Sequence, residues 1–225
     1  MAVPDVSRVC CSAILVTAAL SALAALAAPT PVSGAEPVTA DEAGFVDIRG
    51  VIPDAVVDLR YATADNFVGT QMYPSDARCL VHESLAPGLT AAANAFRARS
   101  AKLVFWDCYR PHAVQVQMFE AVPDPNWVAR PGTYARSHEA GRSVDVTLAD
   151  AHYGWLIDMG TGFDDFTPPA TAFATDGVSA EQQANRAWLR EGMKAGGFSL
   201  YSGEWWHFDG PGADVDRPIL DVPLN

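Results

Sequence analysis

Basic residues are scarce in this chain. Its 225 residues hold 15 Lys and Arg against 27 Asp and Glu, a formal net charge of −12. The N-terminal apolar stretch contributes none of that charge, because Asp5 and Arg8 cancel. Such an acidic surface repels nucleic-acid phosphates and anionic lipid, so neither class of partner is expected; it says nothing about a small zwitterionic ligand. Cysteine is also sparse: of four, Cys10 and Cys11 fall in the N-terminal stretch, which leaves Cys79 and Cys108. Histidine numbers only five. Internal repeats, low-complexity tracts beyond the N-terminal stretch and long linkers are lacking, so one domain is the simplest organisation. What is present, 49% hydrophobic and 19% charged residues, suits a sizeable core and argues against disorder.

Val9 to Ala28, VCCSAILVTAALSALAALAA, is an almost unbroken apolar run followed by PTPVSGAEP. Residues 1–35 read as an export signal, with Ser33 and Ala35 in the small-x-small pattern that precedes a cleavage point. The alternative is an uncleaved N-terminal anchor, since the run is long enough to cross a bilayer core. Either way residues 36–225 are expected as a single domain outside the cytoplasm: periplasmic, in the cell envelope or secreted. An even cysteine pair in an oxidising compartment suggests one disulfide, Cys79 to Cys108. Two buried thiols or a cysteine nucleophile are alternatives that spacing leaves open.

The pattern is α+β. GFVDIRGVIPDAVVDLRYAT mixes β-branched residues with Pro and Asp and predicts short strands and turns, whereas Leu85 to Ser100 carries Leu85, Leu89, Ala92, Ala93 and Phe96 at helical spacing. KLVFW, 102 to 106, predicts a buried strand. Pro111 opens a helix at a position where its missing N–H costs little. RSVDVTL alternates Val144, Val146 and Leu148 with Ser143, Asp145 and Thr147, predicting a strand with one buried face. Ser179 begins a helix with Gln182 completing a capping box, Gly196 and Gly197 end it, and GEWWHF follows as a strand.

Catalytic zinc takes three protein ligands and keeps a position open, so convergent His and carboxylate groups are the features to seek. His138 lies in SHEAGRSVD, where Gly141 lets the chain turn into the strand that displays Asp145 opposite its valines; His207 in EWWH would add a third ligand, with Glu204 left as a base. Residues three apart on a straight strand face opposite sides, so Glu204 joins His207 only if the chain bends, which Gly203 favours. Singly, each residue has a plainer reading: His207 as a hydrogen-bonded core group beside the tryptophans, Asp145 as a solvated or turn-capping carboxylate. His112 reads as a helix-start residue, and His82 and His152 as exposed.

SHEAGRSVDVTL and GEWWHF resemble the SxHxxGxxxD and ExWH signatures of the zinc D-Ala-D-Ala peptidases. The resemblance extends to the VanX-like D-alanyl-D-alanine dipeptidases through LRYATADNFVGTQMY, FWDCYRP, MGTGFDDF and NRAWLREGMKAGGFSLYSGEWWH, in the same order over most of residues 45–208. It implies a small α+β domain whose central antiparallel sheet carries the zinc site with helices packed on it. It also implies one zinc ion on His138, Asp145 and His207, Glu204 as general base, and Arg110 of DCYRP beside the scissile carbonyl. A salt bridge from Arg110 to Asp107 is the structural alternative for that residue. Tyr61 and Asp164 resemble pocket-lining positions of the family, with Asp165 competing for the role of Asp164, and Ser137 could donate to a substrate carboxylate. Cys108 stands where the family commonly has glycine, and a bond to Cys79 would brace the loop carrying Arg110.

The implied activity is hydrolysis of the D-alanyl-D-alanine dipeptide, in dipeptide salvage or wall metabolism if the chain is exported. Two rivals are a peptidoglycan carboxypeptidase or endopeptidase, and a non-catalytic zinc-stabilised binding module. Retention of both Glu204 and Arg110 argues against the second.

Overall fold

The computed structural model describes residues 38–225; the apolar run and the expected signal or anchor over 1–35 lie outside the described residues. Among the described residues no helix is long and apolar enough to cross a membrane. In chain order the elements are β1 (Phe45–Asp47), α1 (Ile48–Val51), β2 (Val56–Val57), β3 (Leu80–His82), α2 (Ala86–Arg97), β4 (Ala101–Asp107), α3 (His112–Ala121), β5 (Ser143–Asp150), α4 (Ala180–Ala195), β6 (Ser199–Leu200) and β7 (His207–Asp209). One five-stranded sheet has the order β2-β4-β5-β7-β6, and β1 pairs separately with β3.

Neighbours in the large sheet run antiparallel except at one edge, where β2 lies parallel to β4. A parallel pair needs a crossover connection, and the segment containing α2 supplies it. The two longest helices pack together, α2 also lying against β4, and bury the apolar stripe read from the sequence: Leu89, Ala92, Ala93 and Phe96 of α2 with Leu189 and Met193 of α4. Ser179 and Gln182 form the expected capping box, each side chain bonding the other's backbone N–H. Pro111 sits one place earlier than a first-turn position, immediately before α3.

Two strand expectations change in detail. The first concerns β5, which is buried on both faces and not one: Val144, Val146 and Leu148 enter the core, while Ser143, Asp145 and Thr147 are also covered. Beside the sheet lies an aromatic cluster in which Trp106 of β4 joins side chains from the loops: Phe163 meets Tyr61, Trp106 and Trp206, and Trp205 meets Trp106 and Trp206. The second concerns GEWWHF, which is strand only from His207 onward. Gly203 to Trp206 form a turn and bend, because Trp205 and Trp206 are anchored in that cluster: Trp205 N–H leaves the sheet to donate to Ala170, and the ladder with β5 begins only where the Trp206 carbonyl accepts from Val146. His82 is also more enclosed than expected, half-buried with its ring nitrogens beside Ser84 and Arg142, whereas His152 is exposed.

A candidate metal centre and its cavity

Strand register brings the first two donors together. In the antiparallel pairing of β5 with β7, Asp145 is opposite His207 and Ser143 is opposite Asp209. Residues two apart on a strand share a face, so all four side chains project to the same side of the sheet. His138 arrives from a single 3-10 turn, Ser137–Ala140, that ends on Gly141 at φ +62°. A side chain on Gly141 would also meet the Phe45 ring at 2.8 Å, so glycine is required there for both conformation and space.

His138 Nε2, His207 Nδ1 and Asp145 Oδ1 form a triangle with sides of 3.1, 3.0 and 3.3 Å. Hydrogen bonding on the far side of each ring sets the tautomers. His138 Nδ1 lies 2.8 Å from the Cys108 carbonyl and His207 Nε2 lies 3.1 Å from Asp209 Oδ1. Carbonyl and carboxylate oxygens only accept, so those nitrogens carry the protons and the facing nitrogens carry lone pairs. With both rings neutral, two lone pairs and a carboxylate oxygen converge on one point, which a cation satisfies and which, without one, a proton on His207 occupies. Zinc bonded at about 2.0–2.1 Å in tetrahedral geometry separates its ligands by about 3.3 Å, so this donor set fits it. Burial opposes the Asp145 charge, but the two imidazoles outweigh it and hold that carboxyl below the usual range. Burial also opposes a charged His207, and its bonds to Asp145 and Asp209 prevail and raise it.

The same side chains line a cavity of about 420 Å³ together with Arg110, Glu204, Tyr61, Asp164 and Ser137. Its size is within the usual range for a small-ligand site. Glu204 reaches it from the turn ahead of β7, so the bend that the strand reading required is present; a side chain on Gly203 would strike the Tyr201 ring at 2.5 Å. Glu204 is 8% exposed, and burial raises its carboxyl to about 7 against the pull of His207. Arg110 is held on three sides: its Nε and Nη2 donate to Asp107 Oδ2 at 2.9 and 2.7 Å, and its Nη1 donates to Gln115 Oε1 at 2.8 Å. The salt bridge to Asp107 therefore coexists with a place in the cavity wall. Cys79 and Cys108 are joined as a disulfide between β3 and the end of β4, next to the loop bearing Arg110.

This geometry coincides with a sequence match along nearly the whole described chain. A peptidase family model described as D-ala-D-ala dipeptidase matches residues 41–225. The chain belongs to that family. Among curated relatives, the D-alanyl-D-alanine dipeptidase of Escherichia coli (strain K12) is 37% identical over 181 residues, covering 80% of this chain and 91% of that protein. The D-alanyl-D-alanine dipeptidase of Enterococcus faecium is 31% identical over 202 residues, covering 82% of this chain and all (100%) of that protein. A solved zinc-containing structure of the vancomycin-resistance D,D-pentapeptidase VanY covers 64% of this chain and 79% of its own at 18% identity and a TM-score of 0.39, too loose a likeness to carry an argument.

Within this member of the dipeptidase family the remaining sequence-derived positions separate clearly. Asp164 faces the cavity at φ +55° and accepts from the Tyr61 hydroxyl at 2.9 Å, whereas Asp165 is not among the lining residues. Burial, then the charges of Asp145 and Glu204, push the Asp164 carboxyl well above the usual range. Ser137 reaches the cavity, but its hydroxyl donates to Ser143 Oγ at 2.9 Å and is not free to donate to a ligand. His112 starts α3 as expected and bonds Glu139, the neighbour of His138.

Sequence reasoning passed over Gln115, Asp209 and Arg186, and named Asp107 only as a salt-bridge partner of Arg110. Asp107 accepts from the Tyr73 hydroxyl as well as from Arg110. Arg186, buried on α4, donates to the carbonyls of Met159, Pro169 and Thr171 and so ties down the loop that carries Asp164. Only Asp209 had a signal in the sequence, its period-two spacing from His207.

Proposed function

We propose that this protein hydrolyses the D-alanyl-D-alanine dipeptide to two D-alanines, with one zinc ion held by His138, Asp145 and His207. The observation that carries the reading is the convergence of this donor triangle with Glu204 and Arg110 in one cavity of a chain that belongs to the D-Ala-D-Ala dipeptidase family. Zinc, when bound, supplies a Lewis acid that polarises the peptide carbonyl and makes water a competent nucleophile near neutral pH.

Everything else falls to the chain's own side chains. Glu204 takes a proton as water oxygen bonds to the carbonyl carbon, and returns it to the departing amine nitrogen as the C–N bond breaks; burial raises the carboxyl and a bound dication lowers it, which keeps the group a base able to give the proton back. Arg110, locked by Asp107 and Gln115, presents a fixed positive charge to the oxygen that becomes negative, with no reorganisation needed during the reaction. Asp164 and Tyr61 receive the substrate ammonium: a buried carboxyl bonded only to a hydroxyl recovers its charge when a cation arrives. That buried acid favours a dipeptidase over a peptidase acting on long wall peptides, whose internal amide brings no ammonium to pair with Asp164.

The apolar run over 9–28 and the bridged cysteine pair favour an exported protein, and hence salvage of dipeptide released by wall turnover. The test is release of free alanine from D-Ala-D-Ala by the zinc-loaded protein, beside L-Ala-L-Ala and a longer peptide ending in D-Ala-D-Ala. Turnover confined to the D,D-dipeptide, and lowered about 10²–10⁴-fold in Glu204→Ala, is expected. Cleavage of the longer peptide alone would replace this reading with a carboxypeptidase. Absence of all cleavage would replace it with a binding module.

A further inference from the structure

Building on that metal site, we infer that Asp209 is a positioning residue for His207: it takes the Nε2–H of the imidazole, so that the Nδ1 lone pair faces His138 and Asp145, and Ser143 holds Asp209 in place. The geometry is complete on every side. His207 and Asp209 are two apart on β7 and share a face, and the Ser143–Asp209 register pair places the serine directly beneath the carboxylate. Ser137 donates to Ser143 Oγ, and Ser143 in turn donates to Asp209 Oδ1, the same oxygen that lies 3.1 Å from His207 Nε2.

Each hydroxyl in this chain gives its one proton in one direction. Both chains of donors end on a single carboxylate, which has no proton to give and leaves the imidazole no choice of tautomer. The other oxygen near Nε2, Ser137 Oγ, is 3.5 Å away, and its hydroxyl proton is committed to Ser143. Without Asp209 the proton can move to Nδ1 and block the lone pair, or the ring can turn. Carboxylate partners of this kind typically contribute 10–100-fold to metal affinity.

The test is zinc affinity, measured by competition with a chromophoric chelator, in wild type, Asp209→Ala, Asp209→Asn, Ser143→Ala and His207→Ala. The visible spectrum of each cobalt(II) form and the melting temperature of each metal-free form accompany it. Asp209 is 38% exposed at its side chain, and the melting temperature of each metal-free form checks that its replacement leaves the fold intact. Expected are a 10–100-fold loss of affinity and an altered cobalt spectrum in Asp209→Ala, a smaller loss in Ser143→Ala, and partial rescue in Asp209→Asn, which keeps an acceptor oxygen. Wild-type affinity and spectrum in Asp209→Ala, with binding lost in His207→Ala, would overturn the positioning role alone. Zinc binding unaffected by His207→Ala would overturn the metal site itself. Equal losses in Asp209→Ala and Asp209→Asn accompanied by a lowered melting temperature would show a structural role and overturn the inference.

Discussion

Glu204→Gln tests the electrostatics of the cavity without relying on turnover. In the metal-free protein burial holds the Glu204 carboxyl at about 7, against an ordinary 4.5. A carboxyl raised by folding is protonated in the native state at pH values where the unfolded chain has ionised it. Its stability contribution is therefore fully present below about 4.5 and is lost as pH rises through about 7. The gap corresponds to about 3 kcal/mol at pH 8, and glutamine, of the same shape but without charge, does not incur it. For a domain of this size roughly 2–4 °C accompany each kcal/mol. In chelator, the Gln variant should melt roughly 6–12 °C above wild type at pH 8 and within a degree or two of it at pH 4. Saturating zinc should narrow the pH 8 difference, because a dication facing the carboxylate favours its charged form. A melting difference that is the same at pH 4 and pH 8 would refute the burial argument.

Arg110→Lys keeps a positive charge but cannot span Asp107 and Gln115; kcat should fall about 10²–10³-fold with the fold retained. Arg110→Ala should also lower stability by roughly 3–5 kcal/mol in chemical denaturation, because Asp107 stays buried without its cation. Reducing the Cys79–Cys108 bond frees a loop of sequence separation 29, and should lower unfolding free energy by about 3.5 kcal/mol in denaturant titrations. Gly141→Ala places a side chain at φ +62° against Phe45; a cost of at least about 1–2 kcal/mol and weaker zinc binding are expected, since the turn carries His138.

Local chemistry was legible in the sequence because it depends on near neighbours. Ser179 and Gln182 announce the start of α4, and Leu89, Ala92, Ala93 and Phe96 announce the buried stripe of α2. Gly141 marks the turn between His138 and β5. The residue types of the donor set, and the family resemblance of the segments around them, were equally readable along the chain. A strand's alternation told which residues share a face, so Ser143 and Asp145 could be separated from the valines beside them.

Alternation does not tell which strand lies opposite, or in what register, since a shift of one residue reverses every face. Only the tertiary structure set Asp145 across from His207 and Ser143 across from Asp209. Likewise, period-two reasoning made Glu204 and His207 point apart; packing of Trp205 and Trp206 into a distant aromatic cluster ended the strand and turned Glu204 into the cavity. The choice of Asp164 over Asp165, the diversion of the Ser137 proton to Ser143 and the clamp of Asp107 and Gln115 on Arg110 all rest on contacts between separate elements. Sequence determined which chemical groups were available and the local turns that present them; the long-range packing of the sheet, the aromatic cluster and the loops decided which of those groups meet.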